Sequence, residues 1–169
     1  MEKLTCAIDT SAALSLGSTG KFQLSTEFFS FLSPGRVNEE LIEISENDDN
    51  IGKIAKNILQ SGIIKFTTLK TGLQNNIGEI EVIKLANQLK ADFVLMDDIK
   101  ARDKLQNKCN CPIRFSPFIV FFLYKKKKLS YDESNSAIEK MKIERKWDRN
   151  LITEYAAILL KKNKKINDF

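Results

Sequence analysis

"GEIEVIKLANQLKADFVLMDDIKAR", residues 78–102, changes its hydrophobic period halfway along, and that change decides the fold. Ile80, Ile83, Ala86 and Leu89 form one stripe at helical spacing, and Asn76 and Gly78 just before them suit a helix start. After Ala91 the pattern becomes an unbroken apolar run, "FVLM", which reads as a strand buried on both faces. Two adjacent aspartates, Asp97 and Asp98, end the run, and "IKARDKLQNK" reads as a second, shorter helix. A buried strand set between helices implies a parallel sheet, because parallel strands need a long crossover connection and both their faces covered.

The same alternation extends outward. "LTCAI", residues 4–8, reads as a buried strand ended by "DTS", and "AALSLGSTG" as a short helix or turn. Residues 21–32 are mostly apolar, with Phe22, Phe28, Phe29 and Phe31, and "SPGRV" punctuates them. Val37, Leu41, Ile42 and Ile44 begin an amphipathic helix that "NDDN" ends, and Ile51, Ile54, Ala55, Ile58 and Leu59 repeat at helical spacing. "SGIIKFTTL" suits a helix stop followed by a strand, "CPIRF" a final strand, and residues 117–128 a helix with Pro117 at its start. From residue 133 the chain reads as one or two amphipathic helices with a lysine-rich end. The expected architecture is a three-layer α/β/α sandwich around a parallel sheet over residues 1–128, with residues 129–169 a helical extension packed on it.

Composition supports one soluble domain. Hydrophobic residues make up 43% of the 169, enough for a core, and charged residues 29%. "MEKLTCAIDT" has an apolar run too short for a signal peptide or a membrane span, so the expected location is the cytoplasm. Three cysteines, Cys6, Cys109 and Cys111, fit reduced thiols better than a disulfide framework. With no histidine, "CNC" is too tight and too isolated for zinc. The net charge of +5 is uneven: residues 125–169 carry 13 basic and 7 acidic side chains. That third fits either a polyanionic partner or simply solvated helix faces.

The acids are arranged more tellingly than the bases. In an open parallel sheet, sites form beyond the C-terminal strand ends. Two expected strands stop there at aspartates, Asp9 in the first case and Asp97 and Asp98 in the second. Two helices add Glu39, Glu40 and Glu43, and Glu79 and Glu81, near their starts. Gathered in one cleft, these groups would form an all-oxygen donor set suited to Mg²⁺ or Mn²⁺. Each also has a local reading, because Asp9, Asp97 and Asp98 could cap the helices that follow them and the glutamates complement helix dipoles.

"AIDTSAALSL" resembles the opening strand of PIN-domain proteins, and residues 78–102 resemble a block found in a prokaryotic branch of that family common in archaea. "VNEELIEI" is similar to the middle helix, and the likeness covers about residues 4–128. The resemblance implies a divalent-metal-dependent ribonuclease, in many members the toxin of a toxin–antitoxin pair, with RNA as substrate, an antitoxin protein as partner and a homodimer as assembly. It implies Asp9 as first acid, Glu40 as second, Glu79 or Glu81 as third, and Asp98 or Asp97 as fourth. Glutamate as the third acid departs from the family's usual aspartate and sets the carboxylate out by one methylene. Ser11 resembles the hydroxyl that steadies the first acid, and Lys100 and Arg102 stand where they could meet the phosphate. The metal would supply the activated water, so histidine is not needed. A catalytically weak module that binds RNA or protein is the alternative. A receiver-like phosphoacceptor domain is disfavoured by the lack of a phosphate-cradling glycine loop.

Overall fold

A computed structural model describes residues 2–69, 78–147 and 151–167, with side chains to residue 161. Five parallel strands, β1 (Leu4–Ile8), β2 (Phe29–Pro34), β3 (Ile64–Thr67), β4 (Phe93–Leu95) and β5 (Ile113–Arg114), form one sheet in the order β3-β2-β1-β4-β5. Helices flank it: α1 (Thr10–Ser18), α2 (Phe22–Ser25), α3 (Gly35–Ser45), α4 (Asn50–Ser61), α5 (Gly78–Leu89), α6 (Ile99–Leu105), α7 (Pro117–Lys125), α8 (Tyr131–Glu144) and α9 (Leu151–Asn167). The fold is the α/β/α sandwich expected from the alternation of short apolar strands and helices. Among the described residues no helix is long and apolar enough to cross a membrane.

Local chemistry sets most boundaries. Asp49 caps α4 by accepting the Gly52 N–H at 2.7 Å, so "NDDN" ends one helix and starts the next. Gly62 ends α4 with a φ of 64°, in the left-handed region that a side chain disfavours. Pro117 opens α7, and Ser130 with Glu133 closes a reciprocal capping box at the start of α8. The phenylalanine-rich segment divides into the single turn α2 and the strand β2. Asn76, expected at the start of α5, lies outside the described residues.

The core explains why the C-terminal helices belong with the sheet. Phe29, Phe31, Ile8 and Leu95 of the strands are fully buried, as are Leu85 of α5, Met141 of α8 and Ile152 of α9. Each such side chain stabilises the fold by about 1.5–3 kcal/mol relative to exposure. Phe29 packs edge-on against Phe93 and Phe122, and Phe22 edge-on against Phe31. Phe22, Phe29 and Phe31 of the phenylalanine-rich segment are therefore core residues. The three cysteines are free thiols, with the Cys109 and Cys111 sulfurs 3.6 Å apart.

The strand order matters most for function. From β1 the chain builds outward to β2 and β3, then returns to place β4 on the other side of β1. The topology switches between β1 and β4, and there the helices that follow each strand diverge and leave a crevice. Ile8 pairs with Leu95, so the two strands end level with each other.

Candidate active site

The crevice is a cavity of about 230 Å³ lined by Asp9, Thr10, Ser11, Leu14, Glu40, Ile44, Gly78, Glu79, Asp98 and Arg145. Asp9 reaches it because β1 ends one residue earlier and α1 begins one residue later. Its carboxylate accepts the Ala12 N–H at 2.7 Å and the Ser11 hydroxyl at 2.8 and 2.9 Å. Asp9 is thus both an N-cap and a site residue. The same holds for Asp98, which caps α6 by accepting the Ala101 N–H at 2.8 Å and also lines the cavity.

Glu40 arrives from the second turn of α3. The Thr10 hydroxyl donates to its Oε2, and Arg36 Nε lies 3.4 Å from its Oε1. Gly78 lets α5 approach this carboxylate: a Cβ there would stand 2.7 Å from Glu40 Oε1. Glu79, the next residue, lines the cavity as well.

The structure separates the paired candidates. Asp97 is 8% exposed and absent from the cavity lining; Ser116 donates its N–H to Asp97 Oδ1 at 2.8 Å and its hydroxyl to Oδ2 at 2.6 Å. Glu81 is 6% exposed and also absent from the lining. Ser11 connects the two aspartate strands, donating to Asp9 while accepting the Asp97 N–H at 3.1 Å. Arg102 faces a separate depression of about 300 Å³ with Arg114, Phe115 and Tyr155, its guanidinium 4.9 Å over the Phe115 ring and 3.9 Å from Asp103. Lys100 is exposed on α6 and does not line the acidic cavity.

Electrostatics mark Asp9 as the most perturbed acid of the cavity. Burial, chiefly, pushes its carboxyl up to about 8; the Ala12 and Ser11 hydrogen bonds pull it down, while the charges of Asp97 and Glu79 push it further up. Burial raises Asp97 as well, and the Ser116 hydrogen bonds offset part of that rise. A hard divalent cation fits the donor chemistry, since four carboxylates and two hydroxyls line one cavity without nitrogen or sulfur ligands. As they stand, however, no three acidic side chains among the described residues are grouped closely enough to hold an ion. Local donors occupy them instead: Ser11 and Ala12 on Asp9, Thr10 on Glu40, Ala101 on Asp98.

Thr10, Gly78 in its close approach and Arg145 are site features that sequence reasoning did not assign. Thr10 could have been suspected from its place beside Asp9, and Gly78 stood in the quoted block as a helix-start residue. Arg145 lies in "IERKW" with no local pattern to set it apart from its basic neighbours. A family model described as a PIN domain matches residues 5–162, from β1 into α9. No curated protein matches the chain.

Proposed function

Because the chain belongs to the PIN-domain family, whose fold is that of nucleases, we propose that it is a divalent-metal-dependent endoribonuclease acting at the Asp9 cavity. The observation that carries this reading is the convergence of Asp9, Glu40, Glu79 and Asp98, from four separate segments, on the crevice at the sheet's topological switch point. Drawn closer together than they stand without an ion, these four would hold Mg²⁺ or Mn²⁺. When bound, the ion supplies a water acidified towards neutrality and positive charge opposite the phosphate.

The chain's own residues prepare that site. Ser11 holds Asp9 and, through the Asp97 amide, keeps the ends of β1 and β4 in register. Thr10 orients Glu40. Asp97 acts from beneath: buried and fastened to Ser116, it fixes the turn that presents Asp98. RNA is the proposed substrate, consistent with the basic C-terminal third. The toxin role, with an antitoxin partner and a homodimer, extends the proposal and rests on the family resemblance alone.

A binding module with weak or no catalysis is the second reading, favoured by the hydrogen bonds that already occupy the carboxylates. One experiment separates the two. Incubation of single-stranded RNA with the purified chain should give cleavage with Mn²⁺ or Mg²⁺ and none with chelator, and the same ions should raise the melting temperature. RNA that stays intact while binding the protein would establish the second reading. No thermal response at millimolar metal would remove the metal site.

A further inference from the structure

We propose that Arg145 is the phosphate-binding residue of the acidic cavity, a catalytic contribution made from the C-terminal end of α8. The proposal rests on the ribonuclease reading and adds to it the group that takes hold of the substrate. Arg145 is the C-cap residue of α8, its backbone N–H bonded to the carbonyl of Met141 at 2.9 Å. Met141 itself is fully buried, so the position of this helix end is set by the core. From there the arginine lines the same cavity as Asp9, Glu40, Glu79 and Asp98.

Comparison with the other arginines shows why this one is different. Three arginines, Arg36, Arg102 and Arg145, have an Nε that is shielded from water and donates no hydrogen bond. Arg36 is paired with Glu39 at 3.0 Å and Glu40 at 3.4 Å. Arg102 lies over the Phe115 ring and near Asp103. Arg145 has neither an ion pair within 4 Å nor a ring beneath it among the described residues, although its charge acts at longer range on the buried Asp97 and offsets part of the rise that burial causes in that carboxyl. A guanidinium placed among four carboxylates yet salt-bridged to none of them is not there to pin the acids closed. It retains a planar fork of donors for an arriving anion.

Charge balance identifies that anion. A phosphodiester entering a cavity lined by four acids is repelled unless positive charge meets it. A guanidinium across the cavity can take a non-bridging oxygen through charge-assisted hydrogen bonds, which strengthen as charge builds on the phosphate. The α8 C-terminus favours the cation while it waits.

The test uses the full chain and its variants Arg145→Ala and Arg145→Lys, with fluorescent single-stranded RNA and Mn²⁺. Arg145→Ala should bind the RNA about tenfold more weakly and, where the native chain cleaves, lower kcat by about 100-fold. Arg145→Lys should recover part of the binding and less of the rate, because it keeps the charge and loses the fork. The melting temperature without metal, and its rise with Mn²⁺, should be unchanged or larger in Arg145→Ala. Equal RNA affinity in Arg145→Ala, faster cleavage, or loss of the Mn²⁺ response along with activity would overturn the proposal. If the native chain binds RNA without cutting it, the ribonuclease reading fails, and the affinity comparison still decides the role of Arg145.

Discussion

Replacing Asp9 with asparagine separates the charge of the site from its shape. Asparagine keeps an oxygen for the Ala12 N–H, bonded at 2.7 Å in the native chain, so α1 keeps a cap worth about 1 kcal/mol. What disappears is a buried carboxyl whose pKa stands at about 8 in the fold against an ordinary 3.8. Between those values the folded chain holds a proton that the unfolded chain has released. Stability therefore falls as pH rises through that window, and it is lowest above pH 8. At about 1.4 kcal/mol per pH unit, the metal-free chain at pH 7 loses up to about 4 kcal/mol through this one group, less whatever the open cleft screens. The variant has no such loss. Urea unfolding of both chains in chelator, across that pH window, should show the variant's advantage widening by a few kcal/mol towards alkaline pH. Saturating Mn²⁺ should then narrow that advantage, since ligand at 100 times its Kd stabilises the native chain by about 2.7 kcal/mol and the variant lacks a ligand. A stability difference that does not change with pH, or an equal metal response in both chains, would refute the account of Asp9 as a buried, cation-seeking acid.

Three other outcomes are expected. Gly78→Ala places a methyl within 2.7 Å of Glu40 Oε1, so it should leave stability within about 1 kcal/mol, because alanine favours the helix, and slow metal-dependent cleavage by about tenfold or more; unchanged kinetics would show that the position of Glu40 is unimportant. Ser116→Ala removes the 2.6 Å donor from a buried carboxylate and should destabilise the chain by about 2 kcal/mol near neutral pH, measured by chemical unfolding, with a smaller loss in acid where Asp97 is protonated. RNA affinity should fall with salt, with a log–log slope near −0.7 for each phosphate contacted, and a flat titration would remove the basic C-terminal third from the interface.

How much of this was legible in the sequence varies by element. Change of hydrophobic period placed α5, β4 and α6, because burial on one stripe or on two faces leaves a direct trace in residue order. Residues 21–32 resisted the same treatment: phenylalanine suits helix and strand alike, and only pairing with β1 and β3 makes Phe29–Pro34 a strand. Asp9, Glu40, Glu79 and Asp98 stood out because strand ends and helix starts in a parallel sheet share one rim. The choice between neighbours did not. Asp97 and Asp98 are chemically identical and adjacent, and partners distant along the chain, Ser116 nineteen residues on and Ser15 on α1, hold one in the core and leave the other at the cavity.

The sequence by itself determined the layers, the parallel sheet and an all-oxygen set of candidate ligands, since these depend on local periodicity and residue chemistry. The tertiary structure alone decided which acids face the cavity, that Thr10 and Gly78 shape Glu40, and that Arg145 joins them from α8. Burial and proximity arise from packing between segments distant along the chain, and a one-dimensional pattern carries no record of which distant side chains meet.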